Sequence, residues 1–172
     1  MEDPKLNELR KLVDGHNKII YEIVKAGKLS DLPPEEQLIA RAMQEHMHLK
    51  HVHNALEFAD LREGEPYEIM VEGDPVSPLA HVMTHAAVKG QIEQDPSVRA
   101  AYEKMVATGS SAHLAEHVLG AMLMELMWEG DQAAGEGKAR SNYQCKITKL
   151  TRDSAFRRKV TRKFTPDHLA FE

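Results

Sequence analysis

Three dipeptides, Asp3-Pro4, Ser77-Pro78 and Asp95-Pro96, constrain the fold of this chain more than any other feature. Each pairs a side-chain oxygen, able to accept from an orphan backbone N–H, with a proline whose φ is preset for the first helical position. Pro33-Pro34-Glu35-Glu36 marks a fourth start, with two acids at the positive end of a helix dipole. Behind these starts, apolar residues recur at three and four over 4–26, 34–59, 77–93, 96–108 and 111–129. Gly27 and Gly109 stand where C-terminal stops belong. The spacing predicts an all-α protein, an antiparallel helical bundle of four main helices with a short additional helix over 96–108. Only Tyr67-Glu68-Ile69-Met70-Val71 reads as extended, inside a loop rich in Gly and Pro.

Charge divides the chain. Residues 130–172 hold 10 Lys or Arg against 5 acids, so the overall net charge of −5 leaves −10 for residues 1–129. Three glycines within Gly130–Gly137 read as a flexible connection, giving a bundle domain over 1–130 and a basic tail over 131–172. In that tail Phe156, Val160 and Phe164 recur at four among Arg157, Arg158, Lys159, Arg162 and Lys163, which predicts a short basic amphipathic helix ended by Pro166. Apolar runs are too short to span a bilayer, and Glu2 and Asp3 stand where a signal peptide carries cations. A cytoplasmic protein without a transmembrane segment is the expectation. The single cysteine, Cys145, forms neither an internal disulfide nor a thiolate metal site, so any metal here is held by imidazole and carboxylate.

The 10 histidines outnumber the 4 Phe and 4 Tyr together, and their placement carries the functional reading. With His16 at 0° on an ideal helix, Leu9, Leu12, Val13, Ile20 and Ile23 all fall within about 60° of it, inside the apolar stripe. With Glu45 at 0° on a helix over 34–59, Leu38, Ala42, Leu49, Val52 and Leu56 do the same, so a carboxylate sits where a bundle wants leucine. His48 and His53 flank that stripe, His46 is marginal at about 100°, and His51 faces away. His81-Val82-Met83-Thr84-His85 presents two imidazoles at i and i+4, and His113-Leu114-Ala115-Glu116-His117 repeats the arrangement.

A lone histidine in an apolar stripe is ordinarily a core residue bonded to a carbonyl. Two such pairs with a buried carboxylate are costly together unless each finds a partner, and one shared cation would satisfy all of them. His16, Glu45, His81, His85, His113 and His117 form the expected ligand set on four helices, enough for one ion or for a carboxylate-bridged pair. Glu116, about 60° off the seam, suits an acceptor that fixes an imidazole tautomer, and His48 and His53 are further candidates beside the site. Many imidazoles and few oxygens favour iron first, then zinc, nickel or copper, over magnesium or calcium. Pairing with Arg41 is the alternative role for Glu45, and bis-imidazole haem ligation through His81 and His117 is a third use of the same residues. No Gly-rich phosphate loop, nucleophile elbow or zincin motif is present, leaving no sequence-level assignment as an enzyme.

The stretches Ser77-Pro78-Leu79-Ala80-His81-Val82-Met83-Thr84-His85-Ala86-Ala87-Val88-Lys89-Gly90-Gln91 and His113 to His117, continuing to Glu125-Leu126-Met127-Trp128-Glu129, resemble a bacterial family known only as domain of unknown function 1841. The resemblance covers roughly residues 18–130, includes the helix start at Asp95-Pro96, and implies a helical protein without an established activity. The family pattern has Asn where this chain has Ser77, an acid where it has Gly90, and an ordered His-Pro-Glu-Tyr-His element where it has His48 to His53. The basic tail lies outside the resemblance. A looser, architectural similarity to hemerythrin-like bundles rests on the order His16, Glu45, then His81 with His85. Two functional classes follow. One is a metal-binding bundle serving oxygen or redox sensing, metal handling or oxidase-type chemistry. The other is a structural or interaction protein, with a homodimer as one option, whose basic tail meets an acidic partner; without an aromatic-basic motif, nucleic acid is not expected.

Overall fold

A computed structural model describes residues 4–71, 74–131 and 136–163. Asp3, Phe164 and Pro166, which carry part of the expected first cap and of the tail helix, lie outside them. Eight α-helices occur among the described residues: α1 Pro4–Lys25, α2 Pro34–His46, α3 Lys50–Glu57, α4 Pro78–Gln94, α5 Pro96–Ala107, α6 Ala112–Asp131, α7 Glu136–Arg152 and α8 Ser154–Arg162. The extended segment before α4 is a short antiparallel pair, β1 Ile69–Val71 and β2 Asp74–Val76, with Ile69 opposite Val76. The fold is all-α.

Local chemistry set several of these boundaries as expected. Asp95 accepts from the Ser97 and Val98 amides at 2.8 and 3.4 Å to cap α5, and Ser77 Oγ accepts from the Ala80 amide at 3.3 Å at the head of α4. Pro34 opens α2 without a side-chain cap. Gly27 (φ 70°) and Gly109 (φ 103°) end α1 and α5 in the left-handed region, where a Cβ is disfavoured.

The helix expected over 34–59 is two helices, and the reason is a phase slip. Taken alone, α2 carries Ile39, Ala42, Met43 and His46 within one arc of about 100°. On a continuous helix, Leu49, Val52 and Leu56 would centre about 100° away from that stripe. The break at Met47–Leu49 resets the phase, so that Ala42, Met43 and His46 are buried together with Leu49, Val52 and Leu56.

Two compact units divide the described residues, one ending at Ala86 and the other beginning at Ala87, the division falling within α4. In the first, α1 packs on α2 and α3 around Ile20, Tyr21, Met43, Leu56 and Val82. In the second, α5, α6, α7 and α8 pack around Val98, Met105, Leu119, Ile147 and Leu150. The sequence placed a flexible connection and one short helix beyond residue 130. Residues 132–135 of that connection lie outside the described residues; after them the chain carries two helices rather than one, because Tyr143, Ile147 and Leu150 put a buried stripe at i, i+4 and i+7 on α7. The basic helix is α8, anchored by Arg157, whose guanidinium donates to the Leu150 and Thr151 carbonyls at 2.6 and 3.4 Å and so satisfies the last turn of α7.

Candidate metal centre

In the first unit, the last turn of α2 and the first turns of α4 bring three imidazoles together. His46 and His85 are buried, at 1% and 3% exposure, and His81 is half-buried. Ring centroids lie 5.0 Å apart for His46 and His81, 4.5 Å for His46 and His85, and 4.8 Å for His81 and His85. One ring nitrogen from each lies within 4.8 Å of the others, a grouping of donors that could hold a metal ion. The His46 ring is oriented from behind. Its Nδ1 is 2.7 Å from the Ala42 carbonyl, which only accepts, so Nδ1 carries a proton and in the neutral ring the buried Nε2 carries the lone pair. This carbonyl contact is the kind that fixes the tautomer and angle of metal-bound histidines. Among the described residues no carboxylate joins the three.

The second unit carries the other pair. On α6, His117 Nε2 and His113 Nε2 are 2.9 Å apart, with ring planes at 80°. That separation fits a shared proton, one ring donating and the other accepting. It equally fits two ligands about 90° apart around an ion some 2.1 Å from each. Next to the pair, Glu116 is buried at 7% exposure and accepts from Lys89 Nζ at 2.9 Å. The carboxylate held in reserve for an imidazole is thus engaged with a cation on α4.

Two members of the expected ligand set lie outside the histidine cluster found among the described residues. His16 is exposed and its Nε2 lies 3.3 Å from Glu36 Oε1, because the buried face of α1 runs through Asn17, Ile20, Tyr21 and Val24 rather than through Leu9, Leu12 and His16. Glu45 is exposed, since the phase of α2 alone turns it off the core. These are the residues on which the likeness to hemerythrin-like bundles leaned for its first two helices. His48 is exposed at the break between α2 and α3, and His53 is exposed with Nδ1 2.8 Å from the Tyr21 hydroxyl. His46, read as marginal, is the histidine that meets the α4 pair. Its signal was present in the spacing Ile39, Ala42, Met43, His46 once α2 is read without α3.

No helix among the described residues is long and apolar enough to cross a membrane. No curated protein and no solved structure matches the chain. A family model described as a domain of unknown function, DUF1841, matches residues 17–149, which takes in the three-histidine cluster, the α6 pair and most of α7. The chain belongs to the DUF1841 family.

Proposed function

We infer that His46, His81 and His85 hold one divalent transition-metal ion, with iron as the native metal and zinc, nickel or copper able to occupy the same donors. The observation that carries this reading is the convergence of three ring nitrogens within 4.8 Å, one of them on a ring whose tautomer is already set by the Ala42 carbonyl. Three neutral imidazoles are a borderline donor set that suits these ions and not magnesium or calcium. With Glu45 and His16 at the surface, the carboxylate-bridged pair of ions loses its bridging group, and a single ion is the better reading. Three ligands leave coordination positions open, which oxygen or redox sensing, metal handling and oxidase-type chemistry all require. His113 and His117 are proposed as a further donor pair on their i, i+4 spacing and their 2.9 Å contact.

Elemental analysis of the untagged protein, with an ultraviolet–visible spectrum of the same sample, tests this. One equivalent of metal is expected, lost in His85→Ala and His46→Ala and retained in Glu45→Gln and His16→Ala. A folded chain that is metal-free and takes up no iron(II) or zinc on reconstitution overturns it. His113→Ala with His117→Ala reads the α6 pair separately: a drop in stoichiometry or affinity makes the pair a donor, and unchanged binding makes it a hydrogen-bonded pair.

A further inference from the structure

The second unit holds a cavity of about 430 Å³ whose lining is positively charged. It is formed where the turn at Thr108, Gly109 and Ser110 meets α8, and three guanidinium groups, of Arg157, Arg158 and Arg162, line it with no carboxylate among the lining residues. Asp153, beside it in sequence, spends Oδ1 on the Ala155 and Phe156 amides at 2.9 Å as the cap of α8. Arg157 is buried at 8% exposure and pinned through one terminal nitrogen to two α7 carbonyls, so it is a fixed positive charge in the lining. Arg158 is exposed and makes no ion pair among the described residues.

The hydroxyls divide into two kinds. Thr108 and Thr161 donate to main-chain carbonyls of Lys104 and Arg157, at 2.9 and 2.8 Å, and are committed to their helices. Ser110 and Ser154, also in the lining, make no side-chain hydrogen bond among the described residues and keep their protons for a ligand. Ser110 precedes the first turn of α6, whose dipole adds positive potential on the same side. Planar guanidinium forks together with hydroxyl donors match the oxygens of a phosphoryl group, and a concave volume of this size fits a small molecule better than a polymer backbone.

From these observations we propose that the cavity between the Thr108–Ser110 turn and α8 binds a small molecule carrying a phosphoryl group, held by Arg158 and Arg162 against Arg157. The site is independent of the metal reading. A phosphoryl group reaches it either as inorganic phosphate species or as an organic phosphate ester.

Calorimetric titration of the full chain with inorganic pyrophosphate and, separately, with ribose 5-phosphate, at physiological ionic strength, tests the proposal. Saturable binding at one site is expected. Tighter binding of pyrophosphate identifies an inorganic ligand, and tighter binding of the ester an organic one. Arg158→Ala and Arg162→Ala should each weaken it by about tenfold or more, the loss expected for a charge-assisted contact. Lys159→Ala, an exposed cation of α8 outside the lining, should leave it unchanged. Should Arg162→Ala fail to fold, Ser110→Ala and Ser154→Ala weaken binding without touching a helix anchor. The proposal is overturned if neither probe saturates, if Lys159→Ala weakens binding as much as Arg158→Ala, or if single-stranded RNA binds and pyrophosphate does not displace it.

Discussion

The His46 ring donates its Nδ1 proton to the carbonyl of Ala42, one turn earlier on α2, at 2.7 Å. That bond decides which nitrogen of His46 faces His81 and His85, and it separates His46 from its neighbour Glu45 in every property a variant can report. His46→Ala should cost about 2 to 3 kcal/mol, because it removes a buried hydrogen bond and leaves a cavity in the first core, and metal should be lost with it. Glu45→Gln, on the exposed face, should change stability by less than about 0.5 kcal/mol and leave the metal content unaltered. Chemical denaturation of both variants beside elemental analysis checks the pair. Equal metal loss in the two would contradict the assignment of His46.

Much of the fold was written in local signals, and the site was written in a signal that needed the fold first. Asp95 and Ser77 cap helices where their prolines announce them, and Gly27 and Gly109 end helices where periodicity stops. The break at Met47–Leu49 has no proline or glycine to mark it. Only the slip between the stripe ending at His46 and the stripe beginning at Leu49 records it, and a single helical wheel over 34–59 averages that slip into an apparent stripe centred on Glu45. The same averaging over α1 gathered His16 with Leu9 and Leu12, whereas tertiary packing selects the neighbouring face through Asn17, Tyr21 and Val24. Within each of the α4 and α6 pairs the rings meet, because an i, i+4 relation is local and does not depend on the phase of a long helix. Glycines near 130–137 outweighed, in the sequence, the stripe of Tyr143, Ile147 and Leu150 that makes α7 part of a core.

Gly64 packs against the backbone of α1 and has φ 89°. A Cβ built there would meet the Asn7 carbonyl oxygen at 2.5 Å, and backbone, unlike a side-chain tip, cannot swing aside. Gly64→Ala therefore combines left-handed strain with overpacking and should destabilise the first unit by roughly 2 to 4 kcal/mol. Gly27→Ala, equally left-handed but with open space around its Cβ position, should cost only about 1 kcal/mol. Parallel thermal melts separate the two contributions.

Asp95 links the cap of α5 to acid stability. The Ser97 hydroxyl, 2.6 Å from its carboxylate, is the largest of the contacts that hold its pKa below the ordinary 3.8, with the Ser97 and Val98 amides adding to it against the opposing effect of burial. A depressed folded-state value means that the stabilisation is present above the unfolded value and is lost as pH falls through the folded one. Asp95→Ala should cost about 1 kcal/mol at neutral pH. Asp95→Asn keeps an acceptor for the amides but has no proton to gain, so its stability should fall less steeply below pH 4 than that of the unaltered chain. Denaturation midpoints measured at neutral and acid pH resolve the difference, and parallel acid limbs would sever the link.

Tyr143 sets the opposite limb. Burial pushes its hydroxyl up to about 12 and the nearby Asp95 charge adds to the rise, while the neutral hydroxyl donates to Gln91 Oε1 at 2.5 Å. A raised folded-state value means that the stabilisation is complete below the unfolded value of 10.0 and disappears as pH climbs toward about 12. Across that window this group alone makes the folded state lose about 1.4 kcal/mol per pH unit. Tyr143→Phe keeps the ring between α5, α6 and α7, removes the bond to Gln91 at a cost of about 1 kcal/mol at neutral pH, and removes this alkaline dependence. The variant should therefore be the less stable chain at pH 7 and draw level with or overtake the unaltered chain above about pH 11. Melting curves that stay separated by the same interval from pH 7 to pH 11.5 would show that Tyr143 ionises as readily folded as unfolded.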